Sequence, residues 1–233
     1  MTDPATLHLR PAAPLAERVL LPGDPHRALA VAQSLLAEPK MFNHSRGLWG
    51  YSGTARDGRP LTVQATGMGG PSAAIVVEEL IDLGARTLVR IGTCGALRDG
   101  FELGELVAAE TAIGADGTSD ALGAGRRLAP DEGLTAALMR GGIRPATVVT
   151  TDLFYDPRAD APARWLADGA DVVEMEAAAL LAIAERRGVA AAVVLGVTDL
   201  LATGRRERIP ADEVDPLGLA LGEAGWMAIA AGR

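Results

Sequence analysis

The hydrophobic pattern of the chain alternates between two kinds of segment. Short runs rich in leucine and β-branched residues predict strands at 18–21, 61–65, 87–91, 106–109, 146–150 and 189–197. Longer segments with helical spacing predict helices at 25–36, 72–83, 130–139, 176–187 and 216–231. Strands that alternate with helices are typical of α/β proteins, so we expect an α/β fold with a largely parallel sheet.

Glycines interrupt this pattern between residues 41 and 65, where the alternation of strand and turn predicts hairpins inserted into the sheet. The chain shows no linker, internal repeat or low-complexity tract, and we therefore expect a single domain over 1–233. Segments 116–127 and 200–212 are predicted surface loops, the first of them mobile. The second follows a buried strand directly, and α/β proteins place their sites in loops at strand ends.

Composition excludes several classes of protein. The 233 residues include 30 acidic and 22 basic side chains, and a net charge of −8 disfavours a general nucleic-acid-binding surface. The single cysteine excludes an intramolecular disulfide and a cysteine-rich zinc site. No apolar run is long enough for a membrane span, and the N-terminus lacks the apolar core of a secretory signal, so we expect a cytoplasmic protein.

The segment 21–27 joins a predicted strand to a predicted helix and has the residues of an anion site. Asp24 and Pro25 suit a helix cap and the first helical position, which is an ordinary structural role. Gly23 allows a ligand to approach the backbone closely, and the start of a helix attracts anions. Arg27 lies on the first helical turn, where its guanidinium can reach the same anion.

Two further strand ends add candidates. The glycines of segment 66–72 fit either a tight turn or a backbone loop that faces a ligand, although their spacing matches neither the Walker loop nor the dinucleotide fingerprint. In segment 89–95, Arg90 interrupts an apolar strand, and a buried guanidinium requires an anionic partner. That partner is either a structural carboxylate or a phosphate ligand, which Thr93 would also bind. Cys94 is expected to be a small buried residue.

Two acidic positions are candidates for substrate binding and catalysis. Glu174 suits a capping or surface role, and Glu176 suits a helix start, where the macrodipole favours it, or a site that binds sugar hydroxyls beside Met175. Asp199 follows a buried strand and is either a turn residue or a general acid. An aspartate has an ordinary pKa of about 3.9. To act as a general acid near neutral pH, Asp199 would need a pKa of nearly 7, and desolvation would have to supply that rise.

Taken together and in this order, the motifs resemble one family, the hexameric, high-molecular-mass purine nucleoside phosphorylases of bacteria, in the superfamily that includes uridine phosphorylase. The resemblance runs from His8 to about Asp199. It implies a three-layer α/β sandwich with a mixed, largely parallel sheet, and reversible phosphorolysis of a nucleoside to a free base and pentose 1-phosphate. The motifs that carry it are Pro22-Gly23-Asp24-Pro25-x-Arg27, Arg46-Gly47 with Gly50 and Gly53, Gly67-Met68-Gly69, Arg90-x-Gly92-Thr93, Phe154-Tyr155 and Glu174-Met175-Glu176-Ala177.

The resemblance assigns roles to individual residues. The phosphate site it implies consists of Gly23, Arg27, Arg90 and Thr93, completed by Arg46 of a neighbouring subunit. The ribose site it implies consists of Met175 and Glu176, completed by His8 of the neighbour. The base site it implies consists of Phe154, Val173, Thr198 and Asp199.

The resemblance also implies that Asp199 protonates N7 of the leaving purine, aided by an arginine that follows it in the chain. Arg205, Arg206 and Arg208 are the candidates, and the sequence favours Arg208. The reaction needs no metal or organic cofactor, because inorganic phosphate is a co-substrate. The expected partners are a purine nucleoside, phosphate and further copies of the chain, arranged as a hexamer of three dimers; nucleic acid and membranes are not expected.

Three alternatives remain open from the sequence. A uridine phosphorylase is disfavoured because Phe154-Tyr155 is followed by Asp156-Pro157-Arg158, without the glutamine that those enzymes use to bind uracil. A nucleosidase of the same fold, including one that cleaves 5′-methylthioadenosine, would not need three arginines around an anion. An inactive nucleoside-binding protein would not need Asp199 and Glu176. The preferred purine, 6-oxo or 6-amino, is left open.

Overall fold

The computed structural model describes residues 6–202 and 206–231. The strands are β1 (Arg18–Leu21), β2 (Leu36–Asn43), β3 (Gly50–Ala55), β4 (Pro60–Gln64), β5 (Thr87–Ala96), β6 (Leu106–Ala115), β7 (Arg127–Leu128), β8 (Arg144–Thr151), β9 (Val172–Glu174), β10 (Ala190–Leu200) and β11 (Glu207–Arg208). The helices are α1 (Pro25–Leu35), α2 (Gly70–Asp82), α3 (Gly117–Ala121), α4 (Glu132–Arg140), α5 (Ala161–Ala167), α6 (Ala177–Arg187) and α7 (Val214–Ala231), with 3-10 turns at Ser45–Gly47 and Ala211–Glu213.

The strands form one mixed sheet in the order β2-β3-β4-β1-β5-β9-β8-β6-β10-β11, with β7 paired to β6. Because β10 also pairs with β5, the strands β5, β9, β8, β6 and β10 close into a ring. The two longest ladders, β5 with β10 and β6 with β8, are parallel, whereas β2, β3 and β4 form antiparallel hairpins. The α/β class and the inserted hairpins are therefore confirmed, and the ring is a feature that the hydrophobic pattern did not predict.

Two apolar cores pack against opposite faces of the sheet. Neighbouring residues of β10 contribute to different cores, since Val193 and Leu195 pack on one side and Val194 on the other. The first core includes the buried faces of α2 and α6, and the second includes those of α1, α4 and α7. This is the period-two pattern of a sheet that is covered on both faces, which explains the continuous apolar runs in its central strands.

Several elements depart from the sequence predictions. The strand β2 was not predicted, because only its ends are buried and the intervening residues are mostly exposed. The segment 116–127, expected to be a loop, begins with the short helix α3, whose cap Asp116 accepts a hydrogen bond from the Ser119 amide at 2.8 Å. The strands β5 and β10 extend five and three residues further than expected, to Ala96 and Leu200.

No helix of the described ranges is long and apolar enough to cross a lipid bilayer, although α7 extends over 18 residues.

Candidate active site

A cleft of about 640 Å³ lies where β1, β4, β8 and β9 end, beside the second halves of β5 and β10. This volume is in the range of small-molecule sites. Ten of the residues that the sequence analysis assigned to a site line this cleft: Gly23, Arg27, Arg90, Thr93, Phe154, Val173, Met175, Glu176, Thr198 and Asp199. The fold therefore brings together residues that are up to 176 positions apart in the chain (199 − 23).

One end of the cleft begins at the N-terminus of α1. Asp24 caps this helix by accepting a hydrogen bond from the Arg27 amide at 2.8 Å, and Pro25 occupies the first helical position, as predicted. A Cβ atom at Gly23 would lie 3.2 Å from the Gly67 carbonyl oxygen, so the two loops approach closely here. Burial and the nearby charge of Arg90 lower the pKa of Arg27. Two cations held this close favour an anion between them.

Arg90 is the buried centre of this end of the cleft. Its Nε donates a hydrogen bond to Glu174 at 3.0 Å, and its Nη2 pairs with Glu176. Burial alone would lower the pKa of Arg90, but the charges of Glu176 and Glu174 raise it above its ordinary value. Gly92 is required beside this guanidinium, because a Cβ atom there would lie 2.6 Å from Nη2. Nη1 is buried and has no hydrogen-bond partner among the described residues.

Glu174 is a structural partner of Arg90, and it also has the capping role considered from the sequence, since it accepts hydrogen bonds from amides at the start of α6; it is not a surface residue. It accepts hydrogen bonds from the Thr150 hydroxyl at 2.5 Å and from the amides of Glu176 and Ala177 at 2.9 and 2.8 Å. It is 4% exposed. The signal that pointed to this role was Arg90 itself, because a buried guanidinium requires an anionic partner, and a structural carboxylate was one of the two partners considered.

Glu176 extends from the start of α6 into the cleft without capping that helix. Its carboxylate accepts a hydrogen bond from the Gly69 amide at 2.6 Å and pairs with Arg90. Each carboxylate oxygen accepts more than one hydrogen bond, so Glu176 retains acceptor capacity for a pair of hydroxyl groups.

The glycine loop that follows β4 positions Glu176. Gly67 and Gly69 both have positive φ, 76° and 86°, and the Ser72 hydroxyl donates to the Thr66 carbonyl at 2.6 Å. A Cβ atom at Gly67 would lie 2.5 Å from the Ser72 oxygen. The positive φ values fit the tight turn that the sequence left open, and the loop also faces the cleft, which Gly67 lines, while the Gly69 amide donates to Glu176.

Asp199 lies at the opposite end of the cleft, on β10, where a register shift between Val197 and Asp199 interrupts the pairing with β5. It is 6% exposed, and the Thr198 hydroxyl donates to it at 2.9 Å. Arg206 donates its Nε–H to Asp199 at 2.7 Å. The Nε of Arg208, the arginine favoured from the sequence, is 3.9 Å away and makes no hydrogen bond to Asp199. Arg205 lies outside the described residues.

The mouth of the cleft beside Asp199 is aromatic and exposed. Phe154 is 51% exposed, packs edge-on against Tyr155 with ring centroids 5.0 Å apart, and lies under the Arg206 guanidinium at 4.8 Å. The next two charged residues, Asp156 and Arg158, pair with each other at 2.6 Å. Val173 and Phe154 both line the cleft, which gives a flat ligand two apolar contacts.

Besides Arg208, two of the expected site residues do not line the cleft of their own chain. The ring nitrogen Nδ1 of His8 lies 2.7 Å from Glu79, a residue of α2. Arg46 is exposed on the 3-10 turn Ser45–Gly47, where its backbone adopts the left-handed conformation with φ of 58°. Their assignment to a neighbouring subunit stays a prediction.

Cys94 lines the cleft and has the environment of a structural residue. It is 4% exposed, and its thiol donates to the Gly196 carbonyl at 3.7 Å. Burial raises the pKa of the thiol far above its ordinary value, which disfavours the thiolate that a nucleophile requires.

Comparison with known proteins finds related sequences over most of the chain. The family model described as "Phosphorylase superfamily" matches residues 17–217. Proteins named "Purine nucleoside phosphorylase DeoD-type" are similar over most of the chain. The one from Caldanaerobacter subterraneus subsp. tengcongensis is 38% identical over 203 residues, 82% of this chain and 85% of that protein. The one from a Jannaschia species is 38% identical over 219 residues, 89% and 92% of the two chains, and the one from Clostridium perfringens is 38% identical over 198 residues, 81% and 84%.

The fold and the cleft together define an α/β protein that holds paired arginines and carboxylates around a small-molecule site. The chain belongs to the phosphorylase superfamily, and within it to the family of the bacterial DeoD-type purine nucleoside phosphorylases.

Proposed function

We propose that the cleft catalyses the reversible, phosphate-dependent cleavage of purine ribonucleosides and deoxyribonucleosides to the free purine and (deoxy)ribose 1-phosphate. The protein is thus a pentosyltransferase of purine salvage. The observation that carries the proposal is the half-buried guanidinium of Arg27 beside the buried guanidinium of Arg90, at one end of a cleft whose other end holds a buried acid, Asp199. The similarity to DeoD-type phosphorylases supports the same conclusion.

The phosphate is proposed to bind at the Arg27 end, with Gly23 and Thr93 as further contacts. Guanidinium groups bind phosphate oxygens through charge-assisted hydrogen bonds, and the start of α1 adds the positive end of a helix dipole. Glu174 and Glu176 hold Arg90 in place, so little reorganisation is needed when the anion arrives.

The sugar is proposed to lie between this phosphate and the base, with its hydroxyls on Glu176 and its ring against Met175. Cleavage of the glycosidic bond develops positive charge on the sugar. A phosphate beneath the ring stabilises that charge and then bonds to the anomeric carbon as the electron pair of the broken bond moves to the base. Holding the two reactants together contributes several kcal/mol, since a bimolecular step becomes effectively unimolecular.

The purine is proposed to stack on Phe154, with Val173 opposite, while Asp199 donates a proton to N7 as the base leaves. Thr198 and Arg206 then stabilise the carboxylate that remains, since both donate to it. Proton donation of this kind contributes roughly 10²–10⁴-fold. In this proposal Arg206 takes the supporting role that the sequence analysis gave to Arg208.

We further propose that the active form is a hexamer of three dimers, in which Arg46 and His8 of one subunit complete the neighbour's phosphate and ribose sites. Both residues lie outside the cleft of their own chain, which is consistent with a role in another subunit. The proposed reaction uses phosphate as its co-substrate and needs no metal or organic cofactor. A single cysteine fits a reducing compartment, and we place the reaction in the cytoplasm.

The proposal is tested by assaying inosine, adenosine, guanosine, 5′-methylthioadenosine and uridine side by side, with and without inorganic phosphate. We expect purine release only when phosphate is present, with little or no cleavage of uridine. A cleavage rate that is the same with and without added phosphate would identify a hydrolase instead. Preference for uridine would overturn the assignment of the base. Comparing the rates of inosine and adenosine would establish which 6-substituent is preferred.

A further inference from the structure

The N-terminal segment is bound to the rest of the protein through one carboxylate. Glu79 accepts hydrogen bonds from the consecutive amides of Leu7, His8 and Leu9, at 3.2, 3.0 and 2.7 Å, and from the ring Nδ1 of His8 at 2.7 Å. Burial alone would raise the pKa of this carboxyl, but the donors on Leu9 and His8 hold it below its ordinary value. Glu79 is therefore ionised and accepts hydrogen bonds only, so Nδ1 carries the proton in this contact.

A second polar side chain joins this segment to the turn that holds Arg46. Asn43 is fully buried, and its carbonyl oxygen accepts hydrogen bonds from the amides of Arg10 and Ser45 at 2.9 and 3.3 Å. Its amide nitrogen donates to the carbonyl of Leu48 at 2.6 Å. Residues 7–10 and 44–48 are thus fixed to one another within a single chain, and we call these two segments together the arm.

We propose that Glu79 is a positioning residue for the reaction, which holds His8 of the arm in one orientation and one tautomer for use in the neighbouring subunit's ribose site. The inference rests on the proposed function, in which His8 completes that site. It adds a residue that touches neither substrate nor reacting atoms.

The contact determines which hydrogen-bonding role His8 offers to the sugar. With Nδ1–H donated to Glu79, the neutral ring presents Nε2 as an acceptor, which suits a sugar hydroxyl that donates. A glutamine at position 79 can donate its own N–H to Nδ1, which moves the ring proton to Nε2 and removes the acceptor. Exposed apolar side chains lie next to both partners in the chain, Leu7 at 77% before His8 and Ile75 at 40% one helical turn before Glu79, as expected of a surface that another copy covers.

The first test reads the tautomer directly. The chain has three histidines, and ¹⁵N long-range NMR spectra at alkaline pH distinguish the two neutral tautomers of each. We expect His8 to carry its proton on Nδ1 in the wild-type protein and on Nε2 in Glu79→Gln, with His26 and His44 unchanged. A His8 tautomer that is the same in both proteins would overturn the proposal, whatever the enzyme's activity.

The second test is kinetic and uses Glu79→Gln, His8→Ala and the double variant. We expect Glu79→Gln to raise the KM for the nucleoside about three- to tenfold, the loss of about one hydrogen bond, with the KM for phosphate unchanged. The double variant should be no worse than His8→Ala alone, because Glu79 acts through His8. Losses that multiply in the double variant, or an equal rise in both KM values, would show that Glu79 only supports the fold.

Glu78→Gln is the matched control, since this neighbouring carboxylate of α2 pairs with Arg187 and not with the arm. It should leave the KM for the nucleoside within twofold of the wild-type value. If His8→Ala itself leaves that KM unchanged while phosphate-dependent cleavage persists, the proposal for Glu79 fails and the proposed function stands. If wild-type cleavage is independent of phosphate, the proposed function fails, and the tautomer measurement still decides whether Glu79 orients His8.

Discussion

The two ends of the cleft are built in opposite ways. At the phosphate end, Arg90, Glu174 and Glu176 are buried and bind one another through several hydrogen bonds. At the proposed base end, Phe154 is half exposed and packs against its neighbour Tyr155 and one arginine of a surface segment. On the proposed assignment, the fold itself would establish the anion site, whereas the base would stack on an aromatic ring that is half exposed.

This contrast has a physical basis in the ligands. Phosphate has a fixed shape and charge, so a site preorganised by buried charges loses little free energy on binding it. A purine offers a flat apolar surface, which stacks on aromatic rings without requiring a rigid frame. We therefore expect changes at the phosphate end to affect both stability and activity, and changes at the base end to affect activity alone.

The largest expected effect follows from removing Arg90. Arg90→Met leaves two buried carboxylates without their cation. We expect the free energy of unfolding to fall by about 3–5 kcal/mol and phosphorolysis to be almost abolished. Arg27→Gln is the control, because the Arg27 side chain makes one long hydrogen bond, 3.4 Å to the Ile91 carbonyl. It should raise the KM for phosphate with little loss of stability in urea denaturation. Equal losses of stability in the two variants would contradict the claim that Arg90, but not Arg27, supports the fold.

The second effect concerns Asp199 at the base end. Asp199→Asn should lower kcat for inosine about 10²–10⁴-fold, since the amide cannot supply the proton, while the unfolding midpoint changes little. A nucleoside already alkylated at N7 carries the positive charge that protonation would create. Its cleavage should fall much less in the variant, and equal losses for both substrates would contradict the role of Asp199 as an acid.

The third effect distinguishes two arginines of one short segment. Arg206→Gln removes a hydrogen bond to Asp199 and a cation–π contact with Phe154, so we expect kcat/KM to fall about tenfold. Arg208→Gln should change it less than about twofold, because Arg208 makes no hydrogen bond to Asp199. If parallel assays show the larger loss for Arg208→Gln, the role of supporting Asp199 belongs to Arg208, the arginine favoured from the sequence.

The smallest effect tests an ion pair outside the cleft. Arg18 holds the pKa of Asp57 at about 2 through a hydrogen bond, below its ordinary value of 3.8. Because the folded-state pKa is the lower one, this pair stabilises the fold above about pH 4, and the contribution is lost as the pH falls towards 2. Asp57→Asn should cost about 1 kcal/mol at neutral pH and leave activity unchanged. A stability difference between the two proteins that persists at pH 2 would refute this.

Ten of the residues that the sequence assigned to a site line one cleft, but the contacts among them were not predicted. Arg90 in an apolar strand required an anionic partner, yet nothing in the local pattern showed that both Glu174 and Glu176 would pair with it or that Glu176 would also extend into the cleft. The choice between Arg206 and Arg208 depended on how a short strand, β11, pairs with β10. Such facts follow from tertiary pairing, which a pattern of one strand at a time does not contain.

The same limit applies to the fold. Buried strands such as β1 were predicted because their residues are apolar throughout, whereas β2, with mostly exposed positions, lacked that signal. The closure of five strands into a ring depends on β10 pairing with both β5 and β6. Hydrophobic periodicity shows that a residue is buried, but it does not show which neighbour buries it.

The central claim is that Arg27 and Arg90 bind one oxyanion at a preformed end of the cleft. Arsenate is a close analogue of phosphate, and its anomalous X-ray scattering locates it directly in a crystal soaked with the ion. The account predicts an arsenic peak within hydrogen-bond distance of both guanidinium groups, with Arg90 still paired to Glu174. A peak elsewhere, with these two side chains turned away from each other, would contradict it.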